Sequence, residues 1–166
     1  MDYDVRVMSC QKIHEKANSM RGRFLNHVAV IDITITALLA VYFCPVDERK
    51  RHLLRYRVLS NSIQKKKSVL LEIIKIDYPN YWIENKAHLE ALTEIIEFRN
   101  CLAHSALDLS EIALVRPLND GIGFLNWKNG SPVVDAEFNE FLVKANMFSG
   151  CLADIERLLP FIQKSA

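Results

Sequence analysis

The chain has 166 residues, half of them apolar and a quarter charged, with a formal net charge of +1. That length supports one domain, residues 1–166, with a sizeable core, and the near-neutral balance excludes a polyanion binder by bulk charge or an acidic tail. Cys10, Cys44, Cys101 and Cys151 lie far apart, with no CxxC and no Cys/His cluster of zinc spacing. They are expected as free thiols of a reducing compartment, and neither a metal nor another cofactor is expected.

A first helix is expected from about residue 5 to Phe43, ended by Pro45. Its second half, "VAVIDITITALLAVYF" (28–43), is apolar nearly all round. It is short for a bilayer span and carries Asp32, so it reads as a buried core helix. The opening "MDYDVRVMSCQK" has no apolar run of the signal-peptide kind, so a soluble, cytoplasmic protein with no membrane partner is expected. Asp47 and Glu48 open a second helix through about Leu59, with acids at its positive end.

From Arg49 to Lys67 the chain carries Arg49, Lys50, Arg51, Arg55, Arg57, Lys65, Lys66 and Lys67 and no Asp or Glu. Such a local patch can attract phosphate on a near-neutral protein; the plainer reading is a solvated helix face. "SNS" (60–62) supplies capping hydroxyls for a third helix, "IQKKKSVLLEIIKID", which stops before Pro79. The cluster Tyr78, Tyr81 and Trp82 beside that proline reads as packing rather than base stacking. A fourth helix is expected from about Tyr81 to Ser105.

Beyond it, residues 112–135 hold short β-prone runs, and Asn129-Gly130 between "FLNWK" and "SPVV" is a hairpin signal. A last helix, Ala136 to about Gln163, returns to the core through Phe138, Phe141, Leu142, Ala145, Phe148 and Leu152, with Pro160 bending or stopping its end. The expected fold is all-α: an up-down bundle of four to five helices with a small β-hairpin insert between the last two.

The chemistry concentrates in "EIIEFRNCLAHSALD" (94–108). At 100° per residue from Leu89, the apolar residues of the fourth helix sweep one arc, and Arg99 falls inside it at about 280°. A guanidinium there needs a carboxylate, a cleft or a second subunit, because an unpaired buried charge is costly. His88 falls in the same arc and is expected in the core or an interface. Asn100 and His104 are four apart and share one side of the helix, with His104 in the last turn, where the helix dipole favours cations. Arginine can neutralise a phosphodiester while histidine moves a proton. No side-chain nucleophile is evident, as would suit a substrate that brings its own, such as the 2′-hydroxyl of RNA. "RGRFLNH" (21–27) offers a second loose Arg/His pair. It is set aside because Gly22 stands in place of the amide and the pair is mid-helix.

The segment "FRNCLAHS" resembles the signature of the HEPN superfamily (higher eukaryotes and prokaryotes nucleotide-binding): Arg, a polar residue that is often Asn, a few residues, and His. Arg99, Asn100 and His104 match it. The helical character and a long apolar early helix with an acidic residue agree, and Asp32 is the matching acid and the expected partner of Arg99. The resemblance covers roughly residues 20–163, with only the short motif specific.

It implies a metal-independent endoribonuclease assembled across a homodimer, leaving a 2′,3′-cyclic phosphate. Arg99 would hold the scissile phosphate, His104 would act as acid or base, and Asn100 would orient one of them. It further implies a toxin or antiviral effector, with an antitoxin such as a nucleotidyltransferase among its partners, while the basic stretch 49–67 would guide RNA. The alternative is a non-catalytic helical binding module in which the same three residues hold the bundle or dimer together.

Overall fold

The protein is seen in a computed structural model that describes residues 3–115 and 123–159. It is all-α with a small antiparallel sheet, as the sequence pattern predicts. The elements are α1 (Tyr3–Phe43), α2 (Glu48–Leu59), α3 (Ile63–Asp77), α4 (Pro79–Glu90), α5 (Leu92–His104), β1 (Ala106–Leu107), α6 (Glu111–Val115), β2 (Phe124–Leu125) and α7 (Asp135–Leu158).

The caps explain the early boundaries. Asp47 accepts from the backbone N–H of Lys50 and starts α2; Ser62 accepts from Lys65 N–H and starts α3. Pro79 occupies the first turn of α4, where its missing N–H leaves no bond unmade. The expected fourth helix is interrupted at Ala91, which keeps near-helical angles (φ −58°, ψ −18°). The interruption is thus a one-residue offset between α4 and α5 rather than a loop. Pro160, and the end of the last helix expected near Gln163, lie outside the described residues.

The chain divides into two compact units, Met1–Val28 with Glu94–Val143, and Ala29–Thr93 with Lys144–Ala166. In the first, Phe24 meets Phe98 edge-on at 5.1 Å between ring centroids, and Phe98 stacks on Phe141 at 4.2 Å. Phe138 packs against Phe24 at 5.9 Å, and Ile13, Ala17, Leu102, Phe124 and Val133 are buried with them. Full burial of each such large side chain contributes about 1.5–3 kcal/mol.

The β excursion differs from expectation in its first half. Ser110 caps the short α6 by accepting from Ala113 N–H, and Asp108 accepts from Ser110 N–H, so "EIALV" coils instead of extending. β2 pairs with β1, directly after α5 (Ala106 opposite Leu125, Leu107 opposite Phe124). The hairpin expected around Asn129-Gly130 is present. Leu125 bridges Pro132, Val133 N–H donates to Phe124 O at 2.8 Å, and Gly130 takes φ +70° in the turn. Gly123 has φ +77°, and a Cβ there would lie 2.6 Å from Ile13 Cγ2, so only glycine fits this approach to α1.

In the second unit Ile31, Ile35, Leu38, Leu39 and Ala40 of α1 are buried, together with Leu70, Leu71, Ile74, Leu89, Phe148, Leu152 and Ile155. By length and composition alone α1 could cross a membrane, with a window of mean hydropathy 1.9 of which 44% is buried. One face of this stretch is buried with the core residues above, while Val30, Ile33 and Phe43 are exposed, an arrangement compatible with a soluble protein. Tyr81 donates to Cys151 O at 3.2 Å, and Lys75 Nζ lies 4.9 Å from the Trp82 ring centroid, so both half-buried rings are engaged within this unit. α2 has no buried residue. Leu54 and Val58 face an apolar cavity of about 540 Å³ that Leu39, Phe43 and Val69 also line. Arg51 fastens α2 by donating to the carbonyls of Cys44 (3.1 Å) and Pro45 (2.5 Å).

Candidate functional site

Arg99, Asn100 and His104 are all exposed on the last turns of α5. The single apolar arc read from the sequence is therefore corrected, and the reason is geometric. Counting from Leu92, the early buried residues Leu92, Ile95 and Ile96 centre near 350°, whereas Phe98, Cys101, Leu102 and Ser105 centre near 230°. The buried face turns by roughly 120° along the helix, and Arg99, near 340°, comes one turn after that side has opened to solvent. Averaged over the whole helix the arc looks continuous, and the change of face disappears. His88 on α4 is likewise exposed rather than in the core.

The expected Arg99–Asp32 pair is replaced by two separate arrangements. Asp32 accepts from Lys66 Nζ at 2.8 Å, and Lys66 also donates to Thr36 Oγ1 at 3.1 Å. Arg99 Nη1 donates to Asn100 Oδ1 at 3.0 Å. That bond draws the guanidinium across the helix toward the side that Asn100 shares with His104. Asp32 thus neutralises a buried lysine and does not serve the arginine.

The end of α5 is fixed by residues behind the exposed triad. Ser105 Oγ donates to Cys101 O at 2.5 Å, satisfying a carbonyl left over at the helix end. Arg21 Nη2 donates to Ser105 O at 2.7 Å, and its guanidinium lies over the Phe124 ring at 4.1 Å from the centroid. Desolvation lowers the Arg21 pKa from its ordinary value, and its Nε is buried with no partner among the described residues. The arginine set aside in "RGRFLNH" therefore does bear on the motif, as the anchor of the backbone that follows His104. Its mid-helix position gave no hint of this, because the contact spans 84 residues of chain.

Two further neighbours come from the hairpin. Trp127 presents its ring to His104 at 6.2 Å between centroids and 67° between planes, and Lys128 Nζ lies 6.0 Å from the Trp127 centroid. The Asn-Gly turn signal located this hairpin in the sequence, but only β1–β2 pairing delivers its tip to the end of α5.

The basic stretch is thinner than its sequence. Arg49, Lys50, Arg55, Arg57 and Lys65 are exposed. Lys66 is buried against Asp32, Lys67 is hydrogen-bonded to Thr93, and Arg51 is spent on backbone carbonyls. Lys66, expected to bind RNA, instead has a structural role. Among the described residues no group of three or more His, Cys, Asp or Glu could hold a metal ion.

The chain matches no protein-family model, no curated protein and no solved structure.

Proposed function

We propose that this chain is a metal-independent endoribonuclease of HEPN type, acting in the cytoplasm as a homodimer. One observation carries the reading. Arg99, Asn100 and His104 stand exposed together at a well-anchored helix end, where none of them is consumed by the core. Had they only capped or cemented this chain's own bundle, they would be buried against partners, as Lys66 and Ser105 are.

In the proposed reaction the 2′-hydroxyl of the substrate loses its proton and attacks the adjacent phosphorus. The P–O5′ bond breaks, and a proton is delivered to the departing oxygen. The products are a 2′,3′-cyclic phosphate and a 5′-hydroxyl. His104 of one copy accepts the first proton and His104 of the second copy supplies the other. Arg99 neutralises the non-bridging oxygens, where negative charge grows in the transition state, and Asn100 holds the guanidinium in place. Arg49, Lys50, Arg55, Arg57 and Lys65 attract the RNA backbone. A toxin or antiviral effector, restrained by a partner such as a nucleotidyltransferase, is the setting such an activity would fit.

The test is cleavage of a single-stranded RNA by pure protein in EDTA. Wild type is expected to yield fragments ending in 2′,3′-cyclic phosphate, and His104→Ala and Arg99→Ala to lose at least about 100-fold in rate while keeping the wild-type circular dichroism. Intact RNA with wild type, or undiminished cleavage by His104→Ala, overturns the proposal and leaves the helical binding module.

A further inference from the structure

An indole held in solvent beside a proton-transfer residue calls for an explanation. Trp127 is 55% exposed, although burying so large an apolar ring would be favourable. It does not sit on a slack loop. Its hairpin is rooted by buried Phe124 and Val133 and closed by a dense set of bonds. Asn126 N–H donates to Ser131 O and Gly130 N–H to Asn126 O, each at 2.7 Å. Asn126 Oδ1 accepts from Lys128 N–H, and Asn129 Oδ1 accepts from Ser131 N–H, each at 3.0 Å. The left-handed turn that this needs falls on Gly130. The hairpin backbone thus fixes where the Trp127 side chain leaves the chain.

What the ring meets is equally specific. His104 approaches it at 67° between ring planes and the Lys128 ammonium lies over it at 6.0 Å, yet more than half of the indole stays in solvent. A π-face, an imidazole and a cation side by side correspond to the base, the reacting sugar–phosphate and the neighbouring phosphate of one nucleotide.

We propose that Trp127 is a stacking platform for an unpaired base next to the scissile phosphate, which makes single-stranded RNA the substrate class. This rests on the ribonuclease reading above. Duplex RNA is excluded because its bases are already stacked and cannot lie on the indole. Trp127 is a specificity-determining residue that positions the nucleotide while His104 moves the proton. Every base has a π-face, so the platform selects for unpaired structure more than for sequence.

The chain has two tryptophans, so Trp82→Phe leaves Trp127 as the only indole reporter. In that background, fluorescence is titrated with a 2′-O-methyl oligoribonucleotide, which cannot be cleaved, as a single strand and as a perfect duplex. The single strand is expected to quench Trp127 and the duplex to do so far less. Followed instead by the anisotropy of a dye-labelled strand, Trp127→Ala should weaken single-strand affinity roughly 5- to 150-fold, with Trp127→Phe recovering most of the loss. Unchanged affinity in Trp127→Ala, an unquenched indole, or equal binding of the duplex overturns the platform. The two readings fail separately. Quenching without any cleavage of ordinary RNA by wild type sinks the ribonuclease and keeps the platform. Cleavage that needs His104 but ignores Trp127 does the reverse. No RNA binding at all sinks both.

Discussion

Two polar clusters in this chain are built in opposite ways. In one unit, Lys66 has a side chain only 1% exposed, and its ammonium is closed on by Asp32 and Thr36. In the other, Arg99, Asn100 and His104 are open, and their only bond to one another joins neighbours in sequence. The closed cluster satisfies a charge that the core would otherwise expel, so its chemistry is used up in folding. The open cluster is supported from behind by Ser105 and Arg21, which leaves its own hydrogen-bonding capacity for something else. Residue type did not distinguish the two; the number of bonds already made does.

The contrast can be broken most severely at Asp32. Asp32→Ala strands a fully buried ammonium and should cost about 3–5 kcal/mol in urea unfolding. Lys66→Met should cost clearly less, because it removes the buried charge and leaves a carboxylate that is already 32% exposed. Equal losses would mean that lost packing, rather than the stranded charge, dominates.

A smaller effect is expected at Tyr81. Burial, and then a hydrogen bond with the Cys151 side chain, pushes its phenol well above the ordinary range. The folded state therefore keeps a proton that the unfolded chain releases above about pH 10, so stability is full below that pH and falls as the pH rises through it. Tyr81→Phe should cost about 1 kcal/mol at neutral pH and flatten this alkaline fall. A fall of unchanged steepness would mean that another group controls it.

The smallest effect is the sharpest test of the comparison. Arg99→Ala and His104→Ala should each leave stability within about 0.5 kcal/mol of wild type. A loss of several kcal/mol in thermal or urea unfolding would show that the open triad is structural after all.

Much of the fold is legible in the chain wherever local chemistry sets it. Asp47, Ser62 and Pro79 mark helix starts, and Asn129-Gly130 marks a turn, because each acts on residues two to four positions away. What stays hidden depends on long-range partners. "KKK" at 65–67 gives no sign that its middle lysine is buried, since Asp32 lies 34 residues earlier. "EIALV" has strand-like composition, but the Ser110 cap outweighs that weak preference. The motif residues are visible as a string. Their exposure is not, because it depends on where the buried face of α5 turns. Arg21 and Trp127 join the same helix end through contacts that no spacing rule encodes.

α2 carries a consequence for motion. It has twelve residues, none of them buried, and lies over an apolar cavity. A helix of that length is marginal in water by itself, so its local opening costs little compared with that of α3, which buries Lys66, Leu70, Leu71 and Ile74. Amide protons of α2 should exchange with deuterium well before those of α3; matching rates would refute this. Arg49, Lys50, Arg55 and Arg57 therefore ride on a segment that comes undone more easily than α3. A polyanion that pairs with them would act as a splint, and slower exchange in α2 would register its arrival.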